Sequence, residues 1–427
     1  MKKRRQHLDK CLALAAKMVL DSRKIDANGN ASFQFNCGEP DFGDIAELLS
    51  TAGNFNPGVS RLNRRKIVSD AFFELAKEAD QKRITAANLS KLLKQKENAH
   101  RRQPELPFFL HTQVSISTRT SLPPMIKSDE AVIRFHRTLP KRSPKEKDYG
   151  RQIASLGIHK PSRNWYYANV FVSARDISEA ANIAFRSINL LRAAWNLEEN
   201  SRLYTRHCGP TQRPINTFRL APLQTVHERD QIGEVNCFWY QQPFVAFDYP
   251  GSAWEIKSEE LAEFRKTELW IKGRLRKSSH DYRQFIESNL LNYVSALDRA
   301  DHAEVFRELW AITESLTGCG RDGVLKYDQL ISRASNAFQR PHFKEIILEH
   351  LRLARNQMIH ELNVTFDVPS VFQLLRIVHG LIRFHLRSCL YFRSVDEAIE
   401  YLSLTRDSRR LRRSIRLHRD ILKHSVQ

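Results

Sequence analysis

Strand-forming runs are confined to one stretch of this chain, and that confinement limits what it can fold into. Phe108 to Ser117, Ala131 to Leu139, Tyr166 to Ser173 and Val235 to Tyr240 are short and rich in β-branched and aromatic residues. One long helical pattern interrupts them, Ile177 to Leu197. Asp176 and Ser178 are its candidate caps, and Ala181, Phe185, Ile188 and Leu191 lie on one face. On either side of this stretch apolar residues recur at helical spacing instead. Elements segregated in this way predict an α+β chain: a helical N-terminal region, a mostly antiparallel α+β middle domain and an all-α C-terminal bundle. The expected boundaries are 1–104, 105–251 and 252–395, followed by a basic helical tail over 396–427.

In the N-terminal region Leu8, Leu12, Ala15 and Val19, and later Phe72, Phe73, Leu75 and Ala76, carry the helical pattern. The loop opening Asp26-Ala-Asn-Gly-Asn resembles a calcium loop only in its first residues. It has Ala31 where glycine is needed and Cys37 where the terminal glutamate belongs, so calcium is excluded. Thr138 to Arg151 reads as an exposed basic loop. Beyond residue 252, helices are predicted over Ser258–Leu275, Asp281–Leu297, Ala303–Leu316, Phe343–Leu362 and Ser370–Phe392. Thr317 to Gly323 is a breaker, and Asp367-Val-Pro369 marks a helix start. Five helices with short connections predict a bundle.

Charge narrows the function. Lys and Arg number 68 against 48 Asp and Glu, a net charge of +20, which attracts polyanions and favours nucleic acid as partner. The six cysteines lie far apart without a Cys-x-x-Cys pair, as expected of reduced cytoplasmic thiols. The segment behind Met1-Lys-Lys-Arg-Arg is too short and too polar for a signal peptide, and no apolar run reaches the roughly 20 residues of a membrane span. A cytoplasmic protein without membrane contact is the expectation.

Phosphate-binding Gly-x-x-x-x-Gly-Lys-Ser/Thr, Gly-x-Ser-x-Gly and His-Glu-x-x-His motifs are all missing, since Val364 stands where the last of these needs histidine. His207-Cys208 with Cys237 lacks a fourth metal ligand at sensible spacing. What remains is Leu351-Arg-Leu-Ala-Arg355-Asn356-Gln-Met-Ile-His360-Glu361. The spacing Arg-x4-His also occurs at Arg202…His207, Arg413…His418 and Arg419…His424. Only the copy at Arg355 lies inside a long helical pattern of the expected bundle, on a stripe of Ile347, Leu351, Ala354, Met358 and Leu362.

This segment resembles the Arg-(Asn/His/Asp)-x(3–5)-His signature of the HEPN superfamily, and the whole chain is most similar to the ApeA-like HEPN proteins of bacterial anti-phage defence. The resemblance covers roughly residues 255 to 395 and, more loosely, the strand and helix order of the middle domain. It implies a metal-independent endoribonuclease without cofactor, acting in abortive infection. It implies a homodimeric site in which His360 is the general acid/base, Arg355 the phosphate clamp and Asn356 an orienting group. A supporting acidic residue on an earlier helix is best matched by Glu314, with Glu308 as rival. The implied partners are RNA (tRNA or mRNA) and an unknown phage-derived or nucleotide trigger sensed by residues 1–251.

The residues by themselves leave alternatives open. His360 fits a helix-face histidine, and Arg355 fits an ion pair with Glu349 or Glu361. His379 and His385 read as packing or surface residues, and Trp165-Tyr166-Tyr167 and Phe238-Trp239-Tyr240 as sheet core. In the tail, Arg409, Arg410, Arg412 and Arg413 fit either a phosphate-gripping helix or a solvated face. A non-catalytic regulator that uses the bundle for dimerisation is the competing function.

Overall fold

In the computed structural model the described residues are 2–25, 31–33, 42–56, 59–78, 80–140, 146–157, 161, 163–202, 215–228, 237–241, 253–319, 326–360, 368–404 and 407–425; at some of these, including 237–241, 359 and 360, only the backbone is described. Asp26 to Asn30 of the calcium-like loop, His207-Cys208, Glu361 and Leu362 lie outside them. The chain is α+β, with helices at both ends and one antiparallel sheet between.

Four helices form the N-terminal unit: α1 (Lys2–Ser22), α2 (Phe42–Ala52), α3 (Arg61–Ala76) and α4 (Ala86–Arg102). Between α1 and α2 lies a small antiparallel hairpin that the sequence did not announce, β1 (Arg23–Ile25) and β2 (Ala31–Phe33). Ser60 and Thr85 cap α3 and α4 by accepting from the backbone N–H groups of Asn63 and Asn88. These helices close their own core around Leu12, Val19, Leu49, Val68, Phe72 and Leu89.

The sheet has six strands in the order β4-β5-β6-β3-β7-β8, every pair antiparallel. They are β3 (Leu106–Ser117), β4 (Met125–Lys127), β5 (Ala131–His136), β6 (Trp165–Ala174), β7 (Leu223–Glu228) and β8 (Cys237–Gln241). α6 (Ile177–Glu199) lies across one face, where Leu110, Val114, Ala168 and Val170 meet Ala184, Ile188 and Leu191. Of the two candidate caps, Asp176 fills the role and accepts from Glu179 N–H at 2.8 Å. Part of the expected basic loop is instead helical, α5 (Glu146–Ser155), and its Tyr149 donates to the Leu223 carbonyl. The strand β3 is buried on both sides, because the second face, carrying Phe109, His111, Asn169 and His227, is covered as well.

The C-terminal helices are α7 (Ser258–Lys277), α8 (His280–Asp298), α9 (His302–Thr317), α10 (Tyr327–Asn336), α11 (Pro341–His360), α12 (Val368–Ser388), α13 (Val395–Ser403) and α14 (Ser408–Ser425). The five predicted helices correspond to α7, α8, α9, α11 and α12. Short α10 and α13 are additional, and α13 buries Ala398 and Leu402, which carries the bundle past residue 395 to Ser403. The apolar core runs unbroken from Phe108 to Ile399. Trp195 of α6 stacks on Phe264 of α7 and Phe218 meets the same ring edge-to-face, at 6.4 and 5.4 Å between centroids, so sheet and bundle share one interior. Buried Arg192 ties the same junction, donating to Asp298 and to the Phe218 carbonyl, both at 2.5 Å.

Candidate active site

The motif helix α11 has two unlike faces. Leu348 and Leu351 are fully buried, with Ile347 and Met358 packed beside them, against α10 and α12. The buried stripe is therefore centred nearer Leu348 than the pattern Ile347, Leu351, Ala354, Met358 suggested. That rotation matters, because it turns Arg355, seven residues beyond Leu348, toward the interior.

Arg355 is half-buried, and its guanidinium carbon lies 5.5 Å from the ring centre of Tyr327, the first residue of α10. It is also within electrostatic reach of Glu314 on α9, where it favours the carboxylate. Burial works the other way and raises the Glu314 pKa above the ordinary glutamate value. The Trp310 indole N–H donates to Glu314 Oε1 at 2.8 Å and also favours the charged form. Trp310 in turn packs on Tyr327 at 6.4 Å. A carboxyl group, a guanidinium and two aromatic rings from three helices thus lie in one neighbourhood.

Local sequence explains why Glu314 stands there. Gly318 ends α9 in the left-handed conformation (φ 68°), with Gly318 N–H bonded to the Ser315 carbonyl and Cys319 N–H to the Glu314 carbonyl. Glu314 sits in the last helical turn, where the helix dipole disfavours a negative charge, so a nearby cation is the natural complement.

The other expected residues are spread more widely. Glu308, the rival to Glu314, pairs with Arg299 at 2.8 Å and takes no part in this cluster. Glu349 pairs with Arg352, not with Arg355. Asn356 is half-buried on the turn that carries Arg355. His360 is the last residue of α11, and its side chain lies outside the described residues. Arg409, Arg410, Arg412 and Arg413 are all exposed on a different helix, α14. His385 is a packing residue, bonded to Tyr282 Oη at 2.9 Å and to the Leu316 carbonyl at 2.8 Å. Trp165 and Tyr166 are buried in the sheet, and the side chains of Phe238, Trp239 and Tyr240 lie outside the described residues.

Sequence reading missed Trp310 and Tyr327. Trp310 was findable as the i−4 neighbour of Glu314 on one helix face. Tyr327 was not, because α10 itself gave no periodic signal long enough to stand out. Among the described residues no three His, Cys, Asp or Glu side chains converge as metal ligands.

The outer face of α11 is exposed and apolar. Phe343 (62%), Ile346 (61%) and Leu353 (53%) follow a 3-4-3 spacing through His350, and the same spacing continued falls on Gln357 and His360. A separate cavity of about 130 Å³ lies between the β4–β5 hairpin, α6, α7 and α8. Its walls include Ile133, Leu191 and Ile271, and Arg186 bridges Glu130 and Glu287 at its rim. A nucleotide needs a pocket of roughly 300 Å³ or more, so this cavity does not fit one as it stands.

Comparison of the chain with protein-family models, curated proteins and solved structures finds no match.

Proposed function

We propose that the chain is an endoribonuclease that works as a homodimer, with the α11 helices of two copies facing each other. The observation that carries the reading is the two-faced character of α11. Its inner face holds Arg355 in the Glu314–Trp310–Tyr327 cluster, and its outer face exposes an apolar stripe at the heptad spacing of a helix–helix seam. A parallel pairing about a two-fold axis would set Leu353 against Leu353 and residue 360 against residue 360. One helix alone cannot unite the motif, since Arg355 and His360 diverge by about 140°. Pairing two copies would bring the two 360 positions together at the seam, and Arg355, on the opposite face of α11, has to leave Tyr327 to reach them.

The chemistry rests on the residue types. Imidazole titrates near neutrality and suits removal of the ribose 2′-hydroxyl proton. The freed oxygen attacks phosphorus, the bond to the 5′ oxygen breaks, and the leaving oxygen takes a proton, which gives a 2′,3′-cyclic phosphate and a 5′-hydroxyl. Arg355 would neutralise the phosphorane. Its guanidinium rests over Tyr327, so RNA has to draw it outward, and Glu314 sets how strongly it is held. The net charge of +20 supports a polyanionic substrate, with Arg409, Arg410, Arg412 and Arg413 as candidate backbone contacts. Residues 1–251 would sense a trigger, and abortive anti-phage defence in the cytoplasm is the setting proposed.

Purified protein is incubated with tRNA and mRNA in EDTA, beside His360→Ala and Leu353→Asp. The expected result is cleavage to cyclic-phosphate ends, lost in the first variant, and loss of both dimer and cleavage in the second. Cleavage by His360→Ala at the wild-type rate would overturn the assignment. So would salt-sensitive RNA binding without cleavage in phage-infected extract, which favours a non-catalytic regulator.

A further inference from the structure

The helix α14 carries two features, and RNA contact uses only one of them. It is 18 residues long, or about 27 Å, and its described side chains are exposed except for half-buried Ser414. Asp407 caps its start by accepting from Arg409 N–H at 2.8 Å. At 100° per residue, Arg409, Arg412, Arg413, Arg416 and Arg419 fall within an arc of about 120°. Leu411, Ile415, Leu417 and Ile421 fall within about 160° on the opposite side, which they share with Arg410, Ser414 and His418. These four are 36%, 46%, 48% and 61% exposed.

A phosphate backbone satisfies the arginines but leaves four branched apolar side chains in water, where their exposure is unfavourable. Pairing with α14 of a second copy would cover them. It would also bring together two helices that each carry six arginines against one acid, Asp420. An anionic bilayer surface meets both demands at once. The leucines and isoleucines enter the boundary between headgroups and acyl chains, and the arginine stems lie along it with their guanidinium groups on lipid phosphates. We propose that α14 is a reversible membrane-surface anchor for anionic lipid. Among the described residues no helix is long and apolar enough to cross a membrane, so the contact is peripheral. The inference stands apart from the nuclease reading, because neither α11 nor the Glu314 cluster takes part.

The test is co-sedimentation of the full chain with vesicles of phosphatidylcholine alone and of phosphatidylcholine with phosphatidylglycerol, with RNA binding measured in parallel. Two variants accompany wild type: Leu411→Ser/Ile415→Ser/Ile421→Ser on the apolar side, and Arg412→Gln/Arg416→Gln on the basic side. Wild type should favour the anionic vesicles by about tenfold or more, and 0.5 M salt should weaken that binding. The apolar variant should lose most vesicle binding yet keep its RNA affinity within about twofold, since phosphate contacts are electrostatic. The basic variant should weaken both. Absence of lipid-dependent pelleting overturns the proposal. Unchanged pelleting of the apolar variant does so too, because it reduces the contact to nonspecific charge adsorption. An apolar variant that loses RNA binding or changes oligomeric state, with vesicle binding intact, assigns the face to RNA or to another copy.

Discussion

Replacing His379 with leucine should stabilise the protein at neutral pH and blunt its sensitivity to acid. Four of the described histidines are buried, and three of them set the acid response: His111 in the sheet beside Asn169 at 2.7 Å, His227 beside Thr225 at 2.7 Å, and His379 in α12. Burial drives each pKa down to about 4 from the ordinary 6.5. The folded rings resist protonation while the unfolded chain titrates near 6.5, so the unfolded state binds more protons between pH 6.5 and 4. Stability is therefore complete above pH 6.5 and falls as pH drops through that window. At pH 5 each ring costs about 2 kcal/mol, hence roughly 6 kcal/mol for the three, a large part of a typical folding free energy. His379 Nε2 has no hydrogen-bond partner among the described residues, so His379→Leu also removes an unsatisfied buried group. The variant should gain about 1 kcal/mol at pH 7.5 and lose only about two-thirds as much as wild type on going to pH 5. Urea unfolding followed by tryptophan fluorescence at the two pH values measures both. Equal wild-type midpoints at pH 7.5 and 5, or a variant with undiminished acid loss, would refute the reasoning.

Three further substitutions probe the site, a helix end and the seam between sheet and bundle. Glu314→Gln keeps the acceptor for Trp310 but removes the charge that holds Arg355; thermal stability should stay within about 1 kcal/mol while RNA cleavage rises about threefold, because Arg355 leaves Tyr327 more readily. Gly318→Ala forces a left-handed residue and drives a Cβ into Ile399 Cδ1. The loss should be about 2–3 kcal/mol by denaturant titration, and Ile399→Val, which removes that methyl, should return part of it. Arg192→Met leaves Asp298 with Asn216 as its donor but no paired cation and takes the donor from the Phe218 carbonyl, and a loss of about 3 kcal/mol in the same assay is expected. Recovery of wild-type stability in that variant would show that the ion pair is dispensable.

Much of the architecture was legible because periodicity reports burial. α6, α7, α8, α9, α11 and α12 each bury a long stripe, and β3, β5 and β6 are strongly β-branched and aromatic. Elements whose identity depends on neighbours were not legible. β4 has three residues and forms only because Met125 to Lys127 pairs with β5. β7 contains Gln224 and His227, polar residues that tertiary contacts bury. α10 is ten residues long and owes its helix to packing on α9, α11 and α13. At the site, helical spacing sets Arg355 and residue 360 about 140° apart around α11. It could not say that Arg355 turns inward, because that depends on Leu348 rather than Ile347 leading the buried face. Nor could it name Tyr327, which reaches Arg355 only through the fold.

The unequal way the chain divides its apolar interior has a consequence for how such a protein can diversify. A recombination joint near residue 104 would separate two parts that each keep an intact core, so exchange of the α1–α4 unit costs only polar links such as those of Asn63 and His100 to Asp176. A joint near residue 252 would sever Trp195 and Phe218 from Phe264 and Arg192 from Asp298. Sheet and bundle must therefore be inherited as a pair, and substitutions on one side of that seam should be accompanied by compensating substitutions on the other.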